Sequence, residues 1–101
     1  MIVGIKTFLV TTGELMDATI DKKIRKRIEK EAVRVKGVKR VNNLRARRSG
    51  LDILVDLEIE VDSRLTVEEG HAIAVRVEKR ILGEVEQVAN VLIHVNPFRE
   101  L

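Results

Sequence analysis

The chain has 101 residues, 19 Lys+Arg against 16 Asp+Glu, 45% hydrophobic residues, 2% aromatics and no cysteine. That length is one ordinary domain and excludes a multidomain enzyme. The missing cysteines exclude a disulfide framework, a Cys-based zinc finger, an iron–sulfur site and a Cys nucleophile. With only Phe8 and Phe98, the chain also lacks the base-stacking platforms of RNA-recognition and single-strand-binding modules. The net charge of +3 hides a polarity: residues 22–48 hold 13 of the 19 Lys+Arg, and residues 49–101 hold 11 of the 16 acids. Such a split is compatible with contact to nucleic acid or an acidic membrane, with self-association, or with a solvated helix face, which is the default.

Ile2 to Thr12 is the one apolar stretch near a terminus, too short to span a bilayer alone, which takes about 20 apolar residues. It reads as a first strand or as the stub of a longer helix. A helix follows, capped by Asp21, with Ile20, Ile24, Ile28, Ala32 and Val35 as its apolar stripe and Gly37 as its end. Lys22, Lys23, Arg25, Lys26, Arg27 and Lys30 fill most of the remaining circumference. Val38 to Arg47 is expected to be a strand of imperfect alternation, and Ser49-Gly50 a tight turn.

The clearest element comes next. Leu51, Ile53, Val55, Leu57, Ile59 and Val61 alternate with Asp52, Leu54, Asp56, Glu58, Glu60 and Asp62, which puts one set against a core and the acids on the opposite face. Thr66-Val67-Glu68-Glu69 is a capping box opening a second helix. Its core face runs through Val67, Gly70, Ile73, Ala74, Val77 and Ile81, and Gly83 closes it. A last strand spans Gln87 to Val95 and is broken by Pro97. The order α-β-β-α-β predicts an α+β sandwich related to the ferredoxin-like fold, two helices on one face of a small three-stranded sheet.

An enzyme is not expected. The six glycines are too scattered for a phosphate cradle, no Ser-His-Asp spacing occurs, and carboxylates spaced i, i+2 on an open sheet face have no pocket to split their pKa values. His71 and His94 are the only histidines. If Val91, Ile93 and Val95 face the helices, then Leu92, His94 and Asn96 face away, as Glu58 does. Glu58, His94 and Asn96 then share one sheet face, a nitrogen with oxygen donors that suits a zinc-like cation, and His71 could join from the side. Arg45, Arg47 and Arg48, clustered on one strand, leave a phosphate-binding role open; the strand-two acids would ease their repulsion, across the hairpin or across a dimer interface.

Three strings, VKGVKRVNNLRARRSG (35–50), LVDLEIEVDSRLTVEEGHAIAVRVEKRI (54–81) and VANVLIHVNP (88–97), resemble the cytosolic C-terminal domain of cation diffusion facilitator transporters. The likeness runs almost continuously from Gly13 to Pro97, with matching order and spacing. GELMDATID (13–21) resembles that family's junction between the last transmembrane helix and the cytosolic domain. The resemblance therefore implies that residues 1–14 are the inner end of that helix or an N-terminal extension. It implies that residues 15–101 are a cation-binding dimerisation domain of metallochaperone-like fold.

What the resemblance implies further is a homodimer on the cytoplasmic face of the cell membrane, part of an integral membrane transporter whose transmembrane domain is its other partner. The fragment itself would be soluble and would bind no nucleic acid. It would couple the cytosolic level of a divalent cation to efflux, zinc first, with Mn2+, Co2+, Cd2+ or Fe2+ as further candidates. His71 matches the family histidine that opens helix two, and His94 that of the final strand. Glu58 stands where members often carry histidine, Asn42 where many carry histidine, and Asn96 where an acid often bridges metals. Neutral amides are poorer partners for a dication, and Glu58 in place of histidine makes the site harder, relaxing preference towards manganese or cobalt. The implied metal set is His71, His94, Glu58 and Asn96. Two rival readings remain: a ligand- or nucleic-acid-binding ferredoxin-like module using Arg45–Arg48, and a dimerisation scaffold whose metal sites have decayed.

Overall fold

A computed structural model describes residues 22–98; Ile2–Thr12, the junction string and the Asp21 cap lie outside the described residues. The elements are α1 (Lys22–Val33), β1 (Arg40–Ser49), β2 (Asp52–Asp62), α2 (Val67–Glu84) and β3 (Val88–Phe98). The sheet order is β1-β2-β3, with β1 antiparallel and β3 parallel to the central β2. This is the expected α+β arrangement, αββαβ, with both helices on one face of the sheet.

The period-two pattern of β2 decides the layering. Ile53, Val55, Leu57, Ile59 and Val61 are all buried and meet Ile28 and Ala32 of α1 and Ile73, Val77 and Ile81 of α2. At about 25 cal/mol per Å2, this inner row is the main source of stability. Leu51, counted with that row from the sequence, is 92% exposed because it sits in the two-residue turn with Gly50, whose φ is +63°. Ser49 and Asp52 pair across that turn, as a two-residue hairpin requires.

β1 runs from Arg40 to Ser49 rather than from Val38 to Arg47. Its uneven alternation has a physical cause, a bulge at Asn43. Asn42 lies opposite Glu58, but Leu44 lies opposite Leu57, so one residue on β1 has no partner. The inward positions are therefore Val41, Leu44 and Ala46, spaced three and then two. The extra residue turns the outward row of β1 so that Asn42 and Arg45 both remain on the open face.

Helix α2 begins as the capping box predicts. Glu69 N–H donates to Thr66 Oγ1 at 3.1 Å and Thr66 N–H donates to Glu69 Oε1 at 2.9 Å. Gly70, Ile73, Ala74, Val77 and Ile81 are buried as expected, whereas Val67, at the first helical position, is 91% exposed. Gly83 does not close the helix, which continues to Glu84 and is capped by the buried Val85. The α1–β1 turn needs Gly37: its φ is +102°, and a Cβ there would lie 2.6 Å from Ile73 Cδ1. Pro97 does not break the last strand, because β3 is an edge strand whose outer side needs no N–H donor.

Among the described residues, a single charge is buried between the apolar layers. Glu31 of α1 accepts a 2.7 Å hydrogen bond from Arg80 Nε of α2, and Arg34 stands 3.6 Å away. The hydrogen bond from Arg80 holds the carboxyl below its ordinary range, against the opposing effect of burial. Arg25 Nη2 donates to the Leu44 carbonyl at 2.7 Å and ties the same helix to β1.

Candidate metal centre

The outward row of β2 carries Asp56, Glu58, Glu60 and Asp62, and the outward row of β3 carries Leu92, His94, Asn96 and Phe98. The parallel register sets Glu58 beside His94 and Glu60 beside Asn96. The parity inferred from the sequence therefore holds: Val91 is buried, and Val95 Cγ1 points to Gly70 of α2, so His94 and Asn96 face away from the helices. The open face brings Glu58, His94 and Asn96 onto one surface.

The contacts on that surface are more specific than the parity argument. His94 Nε2 lies 2.8 Å from Asp56 Oδ1, with both side chains about half exposed. The imidazole thus leans one position along β2, away from its lateral neighbour Glu58. Glu58 Oε1 accepts a long hydrogen bond of 3.4 Å from Asn43 Nδ2 at the bulge. Glu60 is engaged by the Asn42 amide and stands 3.9 Å from Arg40 Nε. Arg40 in turn lies over the Phe98 ring at 5.3 Å, a cation–π contact spanning the width of the sheet. Asn42, placed by the resemblance at a ligand position, is thereby committed to Glu60.

His71 is exposed on the first turns of α2 and does not join the His94 cluster. It lines a cleft of about 380 Å3 between the start of α2 and the end of β3, with Asp62, Thr66, Gly70 and Asn96 among its walls. Asp62 is held well below the usual carboxylate range by the Arg64 guanidinium and Arg64 N–H, at 2.9–3.1 Å. Its lone pairs are largely spent on Arg64, which leaves His71 and Asn96, with Ser63, among the polar residues of the cleft.

Of the four expected residues, Glu58, His94 and Asn96 share the open face, while His71 stands apart on α2 and meets Asn96 only as a fellow wall of the cleft. The sequence reading missed Asp56. Alternation placed it on the correct face, but only the register shows that His94 reaches it. The donor chemistry suits a divalent cation, one imidazole nitrogen beside two carboxylates. Donor number falls short, because no group of three His, Cys, Asp or Glu is gathered closely enough to hold a metal among the described residues.

Residues 20–98 match the family described as "Cation efflux protein, cytoplasmic domain", named ZT_dimer. The chain belongs to this family. It is 34% identical over 98 residues to Metal tolerance protein 2 of Oryza sativa subsp. japonica, covering 97% of this chain and 25% of that protein. It is 34% identical over 86 residues to the manganese efflux system protein MneP of Bacillus subtilis, covering 85% and 29%. It is 35% identical over 96 residues to the magnetosome protein MamM of Magnetospirillum gryphiswaldense, covering 95% and 30%. The chain spans a third or less of the length of these relatives. Among solved structures, a His-to-Ala variant of the MamM CTD superposes with a TM-score of 0.77 at 31% identity, covering 79% of this chain and 100% of that one. A manganese form of the MamM CTD gives 0.74 at 34% identity, covering 76% and 98%. The fold, αββαβ and ferredoxin-like, is thus that of a cation efflux protein's cytoplasmic domain. No described helix is long and apolar enough to cross a membrane.

Proposed function

We propose that this chain is the metal-responsive homodimerisation domain of a divalent-cation efflux transporter. In this reading it binds cytosolic cation between two copies and thereby couples cation level to transport, while catalysing no reaction. The observation that carries the reading is the half-site on the open sheet face, His94 beside Asp56 and Glu58. An imidazole and two carboxylates, half exposed and short of a full set, are suited to a cation that a second copy helps to hold. The family name and the solvent-facing Leu92, 58% exposed on the same face, support self-association there.

His94 and Asp56, with Glu58 beside them, would supply one protomer's share of a cation site that the second copy completes, and His71 with Asn96 a weaker one in the cleft. Two carboxylates to one imidazole is a hard donor set. Zinc would bind, and manganese would compete better than at a histidine-rich site. MneP, by name a manganese efflux protein, and MamM CTD structures in manganese, nickel and cadmium forms are consistent with such breadth. Residues 1–14 would then be the inner end of the last transmembrane helix, or an extension of it, and the transmembrane domain of the same transporter the second partner.

Native mass spectrometry of the chain with zinc or manganese, beside a His71→Ala, His94→Ala variant, reads subunit number and metal count together. Metal-bearing dimers that the variant loses are the expected result. A metal-free dimer in both proteins would instead support a scaffold with decayed sites.

A further inference from the structure

The exposed side of α1 is built against its own stability. Lys22, Lys23, Lys26, Arg27 and Lys30 are all exposed, with Glu29 as the one exposed acid of the helix. Lys22 with Lys26, Lys26 with Lys30, and Lys23 with Arg27 stand at i, i+4, where like charges destabilise a helix by a few tenths of a kcal/mol each. The first turn has no acid although the helix dipole favours one there, and its cations sit at the end where that dipole opposes them. The other basic side chains nearby have structural work, Arg25 on the Leu44 carbonyl and Arg34 beside Glu31. Lys22, Lys26 and Lys30 make no ion pair or hydrogen bond with any described residue.

We infer that this face of α1 lies against the anionic headgroups of the bilayer, so that the lipid surface supplies the counter-charge the helix lacks. The inference rests on the reading of the chain as part of a membrane transporter. In sequence, Lys22 lies ten residue steps beyond Thr12, the end of the apolar run. At most about 3.5 Å per residue, they keep α1 within about 35 Å of the bilayer if that run ends the last transmembrane helix. Clustered lysines close to a membrane exit are attracted to acidic lipids over roughly a Debye length. The His94–Asp56 pair lies on the opposite face of the sheet, so headgroup contact through α1 leaves that open face available to a second copy. A lipid surface rather than a nucleic acid is favoured because the open sheet face carries Asp56, Glu58 and Glu60 as well as Arg45, a mixed surface whose acids a wrapped polyanion would meet and a flat bilayer against α1 would not.

The test is partitioning of the chain onto phosphatidylcholine vesicles with and without phosphatidylserine, beside a Lys22→Gln, Lys26→Gln, Lys30→Gln variant. Any insertion by the apolar run affects both vesicle types, so the ratio of the two partition coefficients is the readout. The parent should favour the anionic vesicles, and the preference should vanish near 1 M salt, where the screening length falls to about 3 Å. Each lysine replaced should lower the anionic partition coefficient about fivefold, and all three about a hundredfold. The variant should melt no lower than the parent, because two like-charge contacts are gone, which separates loss of binding from loss of fold. An equal ratio for parent and variant, or retention on duplex DNA with none on anionic vesicles, overturns the proposal. Zinc count and subunit number in the variant should equal the parent's. Failure of the metal reading would appear there and leave the vesicle result to be judged on its own.

Discussion

The inner and outer faces of β2 are one residue apart along the chain and opposite in what they do. Inward, Ile53, Val55, Leu57, Ile59 and Val61 are buried without a polar atom among their side chains. Outward, Asp56, Glu58, Glu60 and Asp62 are partly exposed and engaged by His94, Asn43, Asn42 and Arg64. The difference teaches that the core and the candidate donor set are separable here, because a single strand divides them by parity alone. Substitutions on the inner face should therefore move melting and leave the donor set intact. Those on the outer face should do the reverse.

The largest expected effect is on the inner face. Leu57 is fully buried at the centre of the sheet, and Leu57→Ala should destabilise by about 2–5 kcal/mol in a denaturant titration at fixed protein concentration. Gly37→Ala comes next. It forces a side chain into a positive-φ conformation and drives a Cβ into Ile73 Cδ1 of the packed core, with an expected loss of about 1–3 kcal/mol. Either variant, if still folded, should bind zinc with the parent's stoichiometry. A stable Gly37→Ala protein would mean that the α1–β1 turn can be rebuilt.

On the outer face the expectation is inverted. His94→Ala should weaken the cation bound on the open face by about ten- to a hundredfold, and Asp56→Asn by a similar factor if the carboxylate orients or shares the site. Both should unfold within about 0.5 kcal/mol of the parent, as exposed positions do. Isothermal titration with zinc and then manganese checks the affinities. A drop in stability without a drop in affinity would show that the pair is a structural cross-strand contact.

The two faces were also unequally legible in the sequence. The inner row, the capping box and the Ser49-Gly50 turn were readable because each rests on local periodicity or on a residue type with one backbone preference. Errors fell at the ends of elements. Leu51 and Val67 continue the apolar pattern, but one lies in a turn and the other in the first helical turn, where no neighbour covers them. Gly83 and Pro97 carry breaker signals that tertiary context overrides, since the helix continues to a buried Val85 and the edge position of β3 tolerates proline. On the outer face, parity identified which residues share a surface but not which of them touch. The offset between β2 and β3 is set by the α2 crossover, and the offset between β1 and β2 by the bulge at Asn43. Neither has a sequence signature in a single chain, so the pairing of His94 with Asp56 was visible only once the strands were placed.

The smallest effect tests the exception to the comparison, the one carboxylate on the inner side. Arg80 lowers the pKa of Glu31, so the unfolded chain binds this proton more readily than the folded one. Its contribution to stability is complete above the ordinary carboxylate value near 4.5 and is lost as the pH falls through the lower folded value. In Glu31→Gln that contribution is absent at every pH, and Arg80 loses its charged partner. The melting curves of parent and variant should therefore be separated at neutral pH and converge in acid. Asp62, also depressed by its arginine, adds to the acid slope of both proteins alike and leaves their difference unchanged. Curves that stay parallel from pH 7 into acid would show that Glu31 holds α1 to α2 by its shape and hydrogen bonds alone.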